Sequence, residues 1–149
     1  CPPKTNVILG DARLTLASQP AAAYDMLVLD AFSSDAIPVH LLTREAFALY
    51  DRVLAQRGVL AVHVSNRHLD LEPIVASLAS NAGHVARVRG DTVLPTGTLS
   101  TGRTAAIWIL VARAEEDLGT ITINARWTGL RAGGELWTDD FSNVLRVLR

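Results

Sequence analysis

The sequence predicts an α/β fold, a mainly parallel sheet flanked by helices, and three observations carry that expectation. Apolar runs of strand length recur, the clearest being Met26–Leu29 and Ala105–Ala112. Between such runs lie segments with apolar residues at helical spacing, Phe47, Tyr50, Val53 and Leu54 in one and Ile74, Val75 and Leu78 in another. Gly and Pro punctuate the joins. Strands alternating with helices at this spacing make βαβ units.

Taken in order, Asn6–Gly10 is a short apolar run closed by turn chemistry and reads as a strand, with Asp11 directly after it. Arg13–Ser18 suits one or two helical turns, ended by Gln19 and Pro20. The stretch from Tyr24 to Asp35, YDMLVLDAFSSD, concentrates the most chemistry in the chain. Its continuous apolar run fits a parallel strand covered on both faces, and the run ends on Asp30. A carboxylate at the carboxyl end of such a strand sits where open α/β sheets bind ligands; Asp30 equally suits a turn cap. Asp35, by itself, reads as a solvated loop acid.

Thr43 suits the N-cap of the next helix, with Glu45 in its first turn where the helix dipole favours an acid and Gly58 as its stop. Val59–Ser65 reads as a strand. Asp70 is placed to cap a further helix with Pro73 in its first turn, and Gly83 ends it. His84–Val88 is a strand, followed by a long loop, Gly90–Arg103, of the kind that either faces substrate or is mobile. Thr104–Arg113 is a second buried strand and Glu115–Asp117 a solvated turn. ITINARW, at 121–127, has no clear assignment. Trp137–Arg149 carries Phe141, Val144, Leu145 and Leu148 at helical spacing behind Thr138, Asp139 and Asp140, which predicts a capped terminal helix.

A chain of 149 residues reads as one domain over 1–149, large enough to bury a core. A net charge of −1 gives no basic field for nucleic acid or an anionic membrane. Even the longest apolar run is far short of the roughly 20 residues that span a bilayer. Cys1 is the single cysteine, so neither a disulfide framework nor a thiolate cluster is available. The opening CPPKT lacks a signal peptide's charged and apolar regions, which predicts a cytoplasmic setting, and the abrupt start suits a fragment. His40, His63 and His68 lack zinc-site spacing, so no metal is expected. His63, inside a strand, reads as a hydrogen-bonded core or half-buried side chain, and Ser65 beside it forms no triad, since no G-x-S-x-G elbow is present. Arg103 reads as solvated, Trp108, Trp127 and Trp137 as packing residues, and Asp139 and Asp140 as helix-cap acids. Neither G-x-G-x-x-G nor G-x-x-x-x-G-K-[ST] occurs.

GDAR at 10–13, YDMLVLDAFSSDAIPVHLLT at 24–43 and GVLAVHVSN at 58–66, in that order, resemble the carboxyl-terminal half of a polyamine aminopropyltransferase, the spermidine synthase family. The likeness is nearest to the bacterial spermidine-synthase-like proteins whose domain is fused to membrane helices, and VLPTGTLSTGRTAAIWILVAR at 93–113 and WTDDFSNVLRVLR at 137–149 extend it. The resemblance implies a partial Rossmann-like sheet of the class I methyltransferase type. It also implies transfer of an aminopropyl group from decarboxylated S-adenosylmethionine to a diamine such as putrescine, within a parent protein that is membrane-anchored in the fused subgroup. Asp30 falls on that family's catalytic acid, Asp35 on the acid that holds the amine, and Asp11 with Ala12 on the pair that contacts adenine.

Three departures accompany the match. The acids are spaced more widely than in the family's D-S-S-D-P arrangement, no tyrosine lies in 90–103, and the strands bearing the glycine-rich cofactor loop and the ribose-binding acid have no counterpart. The resemblance therefore implies that Asn6–Gly10 lacks its usual sheet neighbour, so that either it moves beside Tyr24–Asp30 or an exposed strand edge pairs with another chain, as in a homodimer, and that the isolated chain has little or no transferase activity. Two other readings stand beside it: a fragment of a small-molecule methyltransferase using S-adenosylmethionine, and a noncatalytic binding or assembly module.

Overall fold

The computed structural model describes residues 4–31, 38–66, 68–91, 105–131 and 133–149. Among them, α1 (Ala12–Ala17) precedes β1 (Tyr24–Leu29), α2 (Arg44–Val53), β2 (Leu54–His63), α3 (Glu72–Asn81), β3 (Val85–Asp91), β4 (Ala106–Ala112) and the two-residue β5 (Thr128–Gly129). The five strands form one sheet in the order β1-β2-β4-β3-β5. β1 pairs with β2 in parallel, whereas β4 inserts between β2 and β3 and runs antiparallel to both, as β5 does to β3. Three strands thus share one direction and two oppose them: an α/β sheet with flanking helices, mixed because the chain returns through β4.

Local chemistry accounts for the helices. Asp11 caps α1, its side chain accepting from the Leu14 amide at 3.0 Å, and Thr43 caps α2 by accepting from the Ala46 amide at 3.2 Å. Ala46, Phe47, Tyr50 and Val53 form the buried stripe of α2; Ile74, Val75, Leu78 and Ala79 form that of α3. Both stripes pack with Leu29, Leu60, Val62, Val88, Ile109 and Val111 in one core. Tyr50 is almost wholly buried and donates its hydroxyl to the Leu41 carbonyl at 3.0 Å. That burial pushes its phenol well above the ordinary tyrosine value. Gly83, at φ +71°, follows α3 in the left-handed conformation that glycine permits.

Several expectations need correction. Asn6–Gly10 forms no strand; it has no partner to supply a ladder, and Val7 and Leu9 are exposed at 77% and 93%. β1 is not covered on both faces. It ends the sheet, and since α2 and α3 pack on the opposite side, Met26 and Val28 remain exposed at 56% and 51%. α2 ends at Val53, before Gly58, because the chain passes directly into β2. The pairing of β1 with β2 then jumps from Tyr24↔Leu54 to Met26↔Val59, so residues 55–58 bulge out. Arg113 ties that bulge through the carbonyls of Asp51, Ala55 and Gln56. A Cβ on Gly58 would lie 3.0 Å from the Ala55 carbonyl oxygen, so the bulge itself calls for glycine.

Asp70 does not cap α3. Its carboxylate is held by Arg131 at 2.5 Å, and Leu71 occupies the cap position without a side-chain bond. Glu115–Ile123 forms 3-10 turns rather than a solvated bend, with Leu118 buried and Asp117 and Glu115 gripped by Arg57 and Arg87. The terminal helix is absent as well. Thr138 and Phe141 exchange backbone hydrogen bonds across a tight turn, Leu148 bridges to Leu69, and only Val144–Val147 makes a 3-10 turn. Phe141, Leu145 and Leu148, the expected buried stripe, are exposed, whereas Trp137 is wholly buried. The segment is a strap laid over the core, and its helical spacing is incidental.

Candidate functional site

Asp30 follows the last paired residue of β1, Leu29, which is in register with Val62 of β2. Asp30 therefore stands beside His63, the last residue of β2, and the Asp30 Oδ1 and His63 Nδ1 atoms lie 2.6 Å apart. His63 is in turn in register with Trp108 of β4, and the two rings stack with centroids 4.8 Å apart at 21°. Trp108 is in register with Arg89 of β3, whose guanidinium holds Asp91 at 2.8 Å. The result is a row of polar and aromatic side chains across four strands, at the carboxyl ends of β1 and β2.

The Asp30 side chain is 62% exposed and that of His63 22%. A carboxylate offers about four lone-pair positions, so one oxygen on His63 leaves the other able to meet a cation or accept a proton. The His63 Nε2 atom is buried and has no hydrogen-bond partner among the described residues. His63 was legible only as a hydrogen-bonded or half-buried residue, and that reading holds. Its pairing with Asp30 was missed, although two polar residues ending adjacent strands of apolar sequence were a usable signal.

Asp11 lies in a second cluster. One carboxylate oxygen caps α1 and the other lies 3.3 Å from His40 Nε2. The Leu14 amide, above all, holds the Asp11 carboxyl below the usual aspartate value, with His40 adding to the effect. Ala12 opens α1 and is exposed. Arg13, the next residue, donates to both oxygens of Asp139 and to the His40 carbonyl, and the Thr43 hydroxyl donates to Asp139 as well. Asp139, expected as a helix cap, instead joins α1 to the start of α2. Asp11 and Asp30 share no hydrogen-bond partner among the described residues. Asp35, Arg103 and most of the Gly90–Arg103 loop fall outside those residues.

Ser65 accepts from the Ile107 amide at 2.7 Å, a structural role between β2 and β4. No group of three or more His, Cys, Asp or Glu side chains among the described residues is arranged to hold a metal ion. No helix among them is long and apolar enough to cross a membrane.

No protein-family model matches the chain. Over 61 residues it is 39% identical to a polyamine aminopropyltransferase of Vibrio vulnificus (strain CMCP6), a match covering 40% of this chain and 20% of that protein. Its fold is similar to the crystal structure of a probable spermidine synthase from Corynebacterium glutamicum ATCC 13032, with a TM-score of 0.50 and 25% identity, over 70% of this chain and 36% of that one. The chain thus spans about a fifth of the curated relative and about a third of the solved one. In sequence over that stretch, and in fold over most of its length, the chain is spermidine-synthase-like.

Proposed function

We propose that this chain carries the amine-facing part of a transferase that moves an aminopropyl group from decarboxylated S-adenosylmethionine to a diamine such as putrescine, with Asp30 as the catalytic acid. The observation that carries the reading is the exposed Asp30 carboxylate at the end of a parallel strand, anchored through one oxygen and open at the other. A protonated amine is not a nucleophile. In the proposed reaction the ammonium first passes a proton to the Asp30 carboxylate. The nitrogen lone pair then forms a bond to the methylene carbon beside the sulfonium, while the carbon–sulfur bond breaks and its electron pair leaves a neutral thioether. The product nitrogen keeps its proton as a secondary ammonium, and Asp30 returns the proton it took to solvent. Asp35, five residues after Asp30, is assigned the second, amine-holding role.

For the nucleoside, Asp11 and Ala12 are suitable partners. Asp11 keeps unused lone pairs beyond its contacts with Leu14 and His40, and Ala12 offers an exposed amide at the first position of α1, where helix amides lack internal acceptors. Such a pair matches the amino donor and ring-nitrogen acceptor of adenine. Decarboxylated S-adenosylmethionine supplies the aminopropyl carbon; these residues hold its base.

The test is product analysis with putrescine and decarboxylated S-adenosylmethionine, alongside S-adenosylmethionine with methyl acceptors. Spermidine formation that is lost in Asp30→Asn supports the reading. Methyl transfer without aminopropyl transfer replaces it with the methyltransferase alternative. Calorimetric titration with each nucleoside checks the Asp11 and Ala12 assignment separately. A second reading, an assembly module pairing as a homodimer, is favoured by one observation: β1 ends the sheet with Met26 and Val28 bare.

A further inference from the structure

We infer that His63 is a positioning residue for Asp30, donating its Nδ1–H to one carboxylate oxygen so that the other is aimed at the amine; this rests on the reading of Asp30 above.

The tautomer follows from the surroundings of the ring. At 2.6 Å a carboxylate oxygen and a ring nitrogen cannot both be bare acceptors, so a proton lies between them. The Nε2 atom is buried with no acceptor among the described residues. A proton there would be an unpaired buried donor, whereas a lone pair leaves the smaller penalty. The neutral Nδ1–H form, with Asp30 ionised, satisfies both ends best. Free imidazole side chains in water favour the opposite tautomer, so the site selects the less common form.

The ring's orientation is fixed independently of Asp30. His63 lies in regular β2, in register with Trp108, whose indole forms a shelf against the imidazole plane at 4.8 Å and 21°. Asp30 stands where the chain leaves β1, Leu29 being the last described residue paired in the ladder with β2. An exposed carboxylate just beyond the last pair of a strand is thereby tied to a neighbour held within the sheet. Charge-assisted hydrogen bonds of this kind are short and directional, and placing an acid within reach of the proton it takes is a condition for its working.

Substitutions that retain different parts of this arrangement test the inference. His63→Phe keeps the ring against Trp108 and removes the orphaned Nε2, so the fold is retained, but it deletes the bond to Asp30. His63→Asn restores an N–H close to the Nδ1 position; His63→Gln sets it farther out. Aminopropyl transfer by the whole protein is expected to fall about tenfold or more in kcat in His63→Phe, with a smaller change in KM and an unchanged urea midpoint. His63→Asn is expected to recover activity better than His63→Gln. Two-bond proton–nitrogen correlation NMR at neutral pH should find His63 as the Nδ1–H tautomer, and Asp30→Asn should change that signal. An Nε2–H tautomer, or full turnover in His63→Phe while Asp30→Asn is inactive, overturns the positioning role and leaves the reading of Asp30 intact. Full turnover in Asp30→Asn removes that reading, and with it the catalytic meaning of the His63 bond.

Discussion

Arg13 and Asp139, 126 residues apart in sequence, are joined by two hydrogen bonds of 2.7 and 2.6 Å, one to each carboxylate oxygen. Thr43 donates to the same carboxylate at 2.7 Å while its oxygen caps α2. One acid therefore fastens α1, the start of α2 and the C-terminal strap. The Arg13 guanidinium, followed by the Thr43 hydroxyl, holds the Asp139 carboxyl below its usual value of 3.8. A carboxyl whose value is lower in the folded chain than in the unfolded one stabilises the fold above the unfolded value. That contribution is lost as pH falls through the folded value. With the Asp139 side chain 42% exposed, solvent screening limits Asp139→Asn to about 0.5–1 kcal/mol near neutral pH. The variant's disadvantage should begin to shrink as pH falls past the ordinary aspartate value and vanish only below the depressed folded one. Urea midpoints taken across that range check the prediction; a penalty that persists undiminished in acid would refute it.

Trp137 is wholly buried, its carbonyl accepts from the Arg44 amide at 2.8 Å, and its indole nitrogen has no partner among the described residues. Trp137→Ala opens a large cavity under the strap and should cost about 3–5 kcal/mol. Trp137→Phe removes less volume and also the unpaired donor, which the core no longer has to desolvate. Its cost should be well under half that of the alanine variant. Chemical denaturation of the two variants side by side checks this, and equal losses would show that the indole nitrogen is paired after all.

Gly134 lies against the first turn of α3. A Cβ there would overlap the Pro73 carbonyl group, which is backbone and cannot swing aside as a flexible side-chain end does. Ser77 also donates to the Gly134 carbonyl at 3.0 Å, so the close approach is held from both sides. Gly134→Ala should therefore cost about 1–3 kcal/mol, as overpacking does, although its φ is not in the left-handed region. Gly133→Ala provides a contrast: nothing lies within 4 Å of a Cβ there, but φ is +109°, so its penalty is backbone strain. Hydrogen exchange at the start of α3 should quicken in Gly134→Ala and stay unchanged in Gly133→Ala.

What the sequence revealed, and what it hid, divides along the range of the interactions. The cap at Thr43, the stripes of α2 and α3, and the end of β1 at Asp30 are set by neighbours a few residues away, and periodicity with cap chemistry locates them; the cap at Asp11 is equally local and was not read. The strap at 137–149 is set by contacts with Leu69, Thr43 and Arg13, all distant in the chain, so its helical spacing was misleading. The same holds for the site. An apolar run ending in Asp marked Asp30 as a candidate, whereas His63 became its partner only through the register of β1 against β2, and register is a tertiary fact. Asp70 had the composition of a cap and lost that role to Arg131, sixty-one residues on.

β1 supplies the last test. It ends the sheet, so its outer backbone groups have no partner strand among the described residues, and Met26 and Val28 stand bare on the face away from α2 and α3. Alternate residues of a strand point to one side, so the two side chains form a short apolar stripe beside an open ladder. An edge of this kind is a template for pairing with a second copy, and lysine is the residue that natural edges use to prevent it. Light scattering across a concentration series should find the native chain associating, and Met26→Lys with Val28→Lys together should shift it towards monomer by about tenfold or more in dissociation constant, since two apolar side chains that association would cover are exchanged for charges. The core should be unaffected, because neither side chain reaches the cluster around Leu60 and Ile109. A native chain that stays monomeric throughout, or a double variant that associates as strongly, would rule out this edge as the interface.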